Sequence, residues 1–263
     1  MARFCPLFSG SSGNSLLLEA SGARILIDAG KNAKQLELAL NAVSVEPSEI
    51  QAVFVTHEHT DHISALRVFC SRYHTPVYAS RGTLRELVSM GICNGQFPVH
   101  EIDESGKTLS DLKITPFATS HDAAESFGYT IETADDRKLS IATDLGVMTE
   151  TVRQALRGSD LILIESNHDV HMLQSGGYPY PLKRRILSET GHLSNECCAD
   201  ELCGFMELGT TRFILAHLSR ENNMPRLAYQ TALNALTEKG GREGLDFLMQ
   251  VATQVNATKA MVL

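Results

Sequence analysis

Short apolar runs broken by glycine, serine and aspartate open the chain, and their lengths suit strands better than helices. Residues 3–8, 15–19 and 24–28 are such runs, separated by Gly/Ser turns, which predicts an antiparallel meander entering a mixed sheet. Residues 51–56 alternate little and are rich in β-branched and aromatic side chains, the pattern of a buried parallel strand. Helical patterning follows at 31–41, 63–70 and 83–90, with a short strand at 76–79. The second half repeats this texture, with strands at 113–117, 126–132, 138–142, 161–165 and 212–216 and helices at 148–156, 195–208 and 225–238. Ser194 and Asn223 stand where helix N-caps belong, and Pro225 falls in a first turn. No residue-level repeat relates the halves, yet each has the elements of a sheet-plus-helix unit.

Length and composition keep that picture. A chain of 263 residues that is 43% hydrophobic can bury a continuous core, and the Gly/Ser/Pro-rich stretches at 9–15, 175–181 and 239–244 are loop-sized, so one domain over 1–263 is expected. The formal net charge of -8 argues against a protein that holds nucleic acid through a basic surface, although bound divalent cations would reverse the local field. The basic run Lys183-Arg184-Arg185 and the series Arg67, Arg72, Arg81, Arg85 read most simply as solvated helix faces. Six cysteines lack C-x-x-C spacing and read as small core residues rather than disulfides. With no apolar signal segment and no apolar stretch of membrane-spanning length, a soluble, cytoplasmic protein is expected.

Histidine changes the picture. His57-Glu58-His59-Thr60-Asp61-His62 packs three imidazoles and two carboxylates into one turn, at the end of the strand at 51–56. Open α/β sheets collect ligands at the carboxyl ends of their strands. His57, His59, Asp61 and His62 leave a turning chain in two directions, which suggests two metals rather than one. Asp28, His121, Asp144 and His217 also follow predicted strands. Singly, such a histidine is more often structural and such an aspartate a cap or turn former. Jointly, the strand ends carry the residue types that bind Zn²⁺ or Mn²⁺.

With Ile27-Asp28-Ala-Gly30, H-x-H-x-D-H at 57–62, His121, Asp144 and His217, the chain resembles the metallo-β-lactamase fold superfamily over residues 1 to about 220. The resemblance implies an α/β fold: an αβ/βα four-layer sandwich of two mixed β-sheets flanked by helices, with a two-metal site between the sheet edges. Carried over residue by residue, His57, His59 and His121 would hold one metal, Asp61, His62 and His217 the other, and Asp144 would bridge them. Asp28 would orient the histidine loop from behind. Two such ions would supply an acidified water as nucleophile, and the resemblance implies that Asp61 would act in catalysis as well as ligation. Mixed His/Asp ligation suits zinc, and manganese or iron is compatible. The resemblance sets β-lactamase activity proper aside, because those enzymes are expected to lack Asp61 as a ligand and to carry secretion signals, whereas this sequence has the aspartate and shows no such signal.

Gly191-His192-Leu-Ser194 and the run at 215–223 look like the histidine motifs of the nuclease branch of that superfamily. There His192 would give a proton to the departing oxygen; a packed helix-terminus histidine is the plainer reading. The opening loop at 8–15 (Phe-Ser-Gly-Ser-Ser-Gly-Asn-Ser), taken with these motifs, most closely resembles the YycJ/WalJ family of bacterial metallo-hydrolases across essentially the whole chain. This implies a phosphodiesterase or nuclease, a DNA exonuclease working from 5′ ends in DNA repair, with DNA favoured over RNA and a repair protein as partner. Gly10 and Gly13 would let backbone amides approach a phosphate, and Ser11, Ser12 and Asn14 would add donors. His168 and His171 are expected to line the substrate groove, with Ser219 beside it. Tyr178 and Tyr180, next to the basic run, suit either stacking on an unpaired base or a rigid loop. The competing function is a small-molecule hydrolase, a lactonase or cyclic-nucleotide phosphodiesterase. A binding module that has lost its metals is disfavoured, because no expected ligand is missing.

Overall fold

The computed structural model describes residues 2–254 and 260–263. Strands β1 (Arg3–Phe8), β2 (Ser15–Ala20), β3 (Ala23–Ile27), β4 (Ala52–Phe54), β5 (Val77–Ala79) and β6 (Val99–Glu101) build one sheet. Strands β7 (Lys107–Leu109), β8 (Leu112–Ala118), β9 (Phe127–Glu132), β10 (Lys138–Ala142), β11 (Leu161–Glu165), β12 (Arg212–Ala216) and β13 (Leu248–Val251) build the other, and β14 (Met261–Val262) returns to pair with β1. The two sheets share a plan. β1, β2 and β3 form the expected antiparallel meander, and β3 to β6 then pair in parallel. β7 to β10 are antiparallel, and β10 to β13 parallel.

The period-2 alternation of strand side chains divides the apolar residues into three cores. Ile25 and Ile27 of β3 and Ile214 of β12 meet in a central core between the sheets. Leu26 faces α1 (Ala33–Ala42), whose Leu36 and Leu40 share its core with Phe69. On the far side, Phe213 and Leu215 pack with Leu202 and Leu236. The result is the expected αβ/βα four-layer sandwich. Tyr129 joins the inner layers: its ring packs edge-on to Phe54 at 5.9 Å, and its hydroxyl donates to the Val55 carbonyl at 2.7 Å.

The helix expected at 63–70 is broken into α2 (Thr60–Ile63) and α3 (Leu66–Tyr73). The Ala65 amide donates to the Ala29 carbonyl at 2.8 Å, as the chain bends between the two helices. Ser80 caps α4 (Arg81–Ser89) and Thr149 caps α5 (Glu150–Leu156). The stretch 175–181, expected as a loop, joins the end of α6 (Val170–Ser175) to α7 (Tyr180–Ile186), which it enters through Pro179 and Pro181. Ser194 caps α8 (Asn195–Glu207) as expected, but Asn223 does not cap α9 (Pro225–Glu238). Its side chain instead joins three segments, accepting from Asn195 and donating to the carbonyls of Ser166 and Asn167. No helix among the described residues is long and apolar enough to cross a membrane.

Candidate metal centre

Strands β3, β4, β10, β11 and β12 deliver their carboxyl ends to one rim, where the chain turns sharply. Asp28 follows β3 at φ 63°, Asp144 follows β10 at φ 57° and His217 follows β12 at φ 56°. Left-handed backbone costs a residue with a Cβ about 1–3 kcal/mol, so the surrounding contacts must impose it. His62 links the three: its Nδ1 donates to Asp28 at 2.7 Å, its Nε2 lies 3.3 Å from Asp144, and Asp144 lies 3.2 Å from His217. β4 runs on into fully buried His57; His59 is the N-cap of α2, and Asp61 and His62 lie in its single turn. Glu58 ties this loop to its neighbours by accepting from the Ala124 amide at 2.7 Å and the Thr83 hydroxyl at 3.2 Å.

A Cβ on residue 30 would lie 2.0 Å from the Asp61 carbonyl and 2.4 Å from the Asn14 amide, so only glycine lets these segments close on one another. Backbone bonds from Asn14 to Asp61, from Gly30 to Asn14 and from Ala29 to His62, each 2.7–2.8 Å, hold the closure.

Two triplets of donor atoms result, His57 with His59 and His121, and Asp61 with His62 and His217, each within 4.8 Å. Asp144 stands between them, 3.3 Å from His62 and 3.8 Å from His121. His57 Nε2, His217 Nε2 and Asp144 Oδ2 are buried with no hydrogen-bond partner among the described residues. Each such atom costs about 1–3 kcal/mol if left bare, and imidazole and carboxylate donors converging this way fit divalent cations.

Two carboxylates sit behind the imidazoles. Asp28 accepts from the Thr56 amide (2.8 Å), the Thr56 hydroxyl (2.9 Å) and His62. Glu165, the last residue of β11, accepts with Oε1 from His192 Nδ1 at 2.8 Å and His217 Nδ1 at 2.7 Å, while Oε2 takes the amides of Leu145 and Leu193. Burial opposes the charged form of His62, but Asp28 and Asp144 outweigh it and hold its pKa well above the usual range. His217 is held up in the same way, against burial, by Asp144, Asp61 and Glu165. Burial and the nearby His62 push His57 well below its usual range, which leaves a neutral imidazole with a lone pair to give. This field favours positive charge, from protons or from metal.

The centre opens into a cleft of about 190 Å³ lined by Ser11, His59, Asp61, Asp144, Asn167, Tyr178, Leu182, Arg185, Ile186, His192, His217 and Ser219. Arg185 is clamped on its rim by two bonds to Asp122, at 2.5 and 2.8 Å.

The beta-lactamase superfamily domain matches residues 23–218. The exodeoxyribonuclease YycJ of Bacillus anthracis is 36% identical over 239 residues, covering 90% of each chain. The exodeoxyribonuclease WalJ of Streptococcus pneumoniae is 35% identical over 260 residues, covering 97% of this chain and 96% of that protein. This chain belongs to the YycJ/WalJ family of the beta-lactamase superfamily. The crystal structure of Zn(2+)-bound PqqB from Methylobacterium extorquens shares its fold, with a TM-score of 0.75 at 16% identity over 99% of this chain and 100% of that one.

In this YycJ/WalJ-family chain the structure brings the expected ligands together, sets Asp28 behind His62, and places His192, Ser11 and Ser219 on the cleft. Other expectations need correction. Asn14 turns inward, donating to Asp61 at 3.1 Å and lying 3.0 Å from His62, so its amide meets the ligand cluster rather than a substrate. The amides of Gly10 and Gly13 are taken by Asn14 Oδ1 and the Gly10 carbonyl, so neither awaits a phosphate. Ser12 accepts from Lys31 at 2.6 Å and lies outside the cleft lining. His168 is 1% exposed, with neither ring nitrogen partnered among the described residues and its pKa lowered by burial to about 4, so it is a neutral buried residue outside the cleft lining rather than a groove contact. His171 is exposed on α6 and is not among the residues that line the cleft. Sequence reading missed Glu165 and Asn167, and it took Arg185 for part of a solvated helix face, whereas Arg185 lines the cleft. The signal for Glu165 was a carboxylate ending an otherwise apolar run, Leu161–Glu165.

Proposed function

We propose that this chain is a dinuclear metallo-exodeoxyribonuclease that removes nucleotides from 5′ ends of DNA, serving DNA repair in the cytoplasm as one domain over 1–263. Its family makes it a metal-dependent hydrolase of phosphodiester bonds. DNA as substrate rests on the exodeoxyribonuclease names of both relatives. His57, His59 and His121 would hold one ion and Asp61, His62 and His217 the second, with Asp144 shared. Divalent ions there, zinc on this donor set or else manganese or iron, would neutralise phosphate charge and acidify water.

The protein's own side chains do the rest. The observation that carries the reading is His192: Glu165 accepts from its Nδ1 at 2.8 Å and fixes the ring's orientation, so that the imidazolium, with Nδ1–H on the carboxylate, carries on Nε2 the proton that goes to the departing oxygen. Arg185, fixed by Asp122, offers a planar guanidinium to a phosphate oxygen, and the Ser11 and Ser219 hydroxyls flank it on the cleft. Only Tyr178, Leu182 and Ile186 are apolar in that lining, which gives an acyl chain or lactone little to bury.

The test is hydrolysis of end-labelled single- and double-stranded DNA and RNA, with and without a 5′-phosphate, by metal-reconstituted protein, with His59→Ala as control. Stepwise loss of nucleotides from the 5′ end of DNA, absent in the control, is expected. Metal-loaded protein that cuts no strand would move the assignment to a small-molecule phosphodiesterase.

A further inference from the structure

The cleft does not end at Tyr178. A second cavity, of about 470 Å³, is walled by Gln174, Tyr178, Tyr180, Lys183, Arg184 and Leu187. Tyr178 lines both cavities, so the metal clusters and the second cavity adjoin across one residue.

The unit that forms this wall is held firmly. Lys183 donates to the carbonyls of Gln174 and Gly176 at 2.7 Å each, which ties α7 to the end of α6. Pro179 and Pro181 restrict the backbone where α7 begins. Against this rigid frame, two side chains have no structural task. Tyr180 is 73% exposed. Arg184 is exposed with no ion pair or hydrogen bond among the described residues, whereas its neighbour Arg185 is paired with Asp122. In a chain of formal charge -8, an unpaired guanidinium beside an open aromatic ring, one residue from a phosphodiesterase cleft, matches a ligand with a flat face and an anionic link.

We propose that this cavity is a flanking nucleotide subsite for single-stranded nucleic acid. It holds an unpaired nucleotide next to the one being cut, with its base stacked on Tyr180 and its phosphate on Arg184. This rests on the nuclease reading above. Its volume falls in the range of roughly 300–1,000 Å³ typical of small-molecule sites. Stacking is tolerant of base identity, so the subsite selects strands with unpaired ends rather than particular sequences.

The test compares metal-loaded Tyr180→Ala, Tyr180→Phe and Arg184→Gln proteins with the parent on two substrates. One is a short single-stranded DNA oligonucleotide; the other is bis(p-nitrophenyl) phosphate, a diester too small to reach the second cavity. Tyr180→Ala should raise KM for the oligonucleotide by about 5- to 150-fold, and Tyr180→Phe, which keeps the ring, should stay near the parent. Arg184→Gln should raise KM and lower the slope of log KM against log salt by roughly 0.7–1. All three should cleave the small diester as the parent does. Oligonucleotide KM values equal to the parent's, or an equal loss on the small diester, would overturn the subsite alone. A parent that cleaves the diester but neither binds nor cuts any strand would overturn the nucleic-acid reading and the subsite with it.

Discussion

The two sheets bring their candidate metal ligands to the rim by different routes. The first supplies His57, His59, Asp61 and His62 from one turn after β4. The second supplies His121, Asp144 and His217 from separate strand ends between 121 and 217, with Glu165 behind them at the end of β11 and His192 from the loop before α8. In the first region local backbone geometry sets the spacing. In the second, strand order sets it: neighbouring strands lie about 4.8 Å apart, so residues at the ends of β10, β11 and β12 meet whatever their separation in sequence. Each region also has a carboxylate behind its imidazoles, Asp28 in one and Glu165 in the other. Asp28 serves His62, while Glu165 serves both His217 and the cleft-facing His192. The compact region is therefore suited to binding metal, and the dispersed region to binding metal and moving a proton.

The largest expected effect breaks the compact region. His59→Ala should lower kcat/KM on the order of 10⁴-fold or more and reduce bound metal, read by steady-state kinetics and elemental analysis of the same preparation. His192→Ala should lower kcat by about 10²–10⁴-fold with metal content at the parent level, and an unchanged rate would remove its role as proton donor. Glu165→Gln should weaken both functions of the dispersed region, with activity and metal affinity each falling about 10–100-fold. Full metal affinity in that variant would show that His217 is held without the carboxylate. In the compact region, Asn14→Ala should weaken metal binding about tenfold at the Asp61 and His62 side; a change in KM alone would return Asn14 to the substrate.

The smallest expected effect concerns stability, through His168. Burial lowers its pKa from the ordinary histidine value of about 6.5 to about 4, so the unfolded chain binds the extra proton between those values. Stability present above pH ~6.5 is then lost as pH falls toward ~4, by up to about 3 kcal/mol. Chemical denaturation across that window should show a shallower acid loss for His168→Leu than for the parent. Identical slopes would mean that His168 does not couple protonation to folding.

What the sequence determined by itself follows from chemistry that is local or restricted to few residue types. Alternation and turn residues located β1 to β5 and β8 to β12, and Ser194 announced its helix. The candidate metal ligands were legible because histidine and aspartate at strand ends have few other uses in such number, and H-x-H-x-D-H lies in one turn. The short strands β6, β7, β13 and β14 were not legible, because they carry little alternation and are specified by a partner strand. Nor was the break between α2 and α3, where the Ala65 amide turns to the distant Ala29 carbonyl. Tertiary structure alone decided that Asn14 faces Asp61 and His62, that Glu165 orients two histidines, that His168 is buried, and that Tyr178 separates two cavities. Each of these depends on which atom faces which across segments far apart in the chain, and residue type and spacing carry no information about that direction until the sheets are packed.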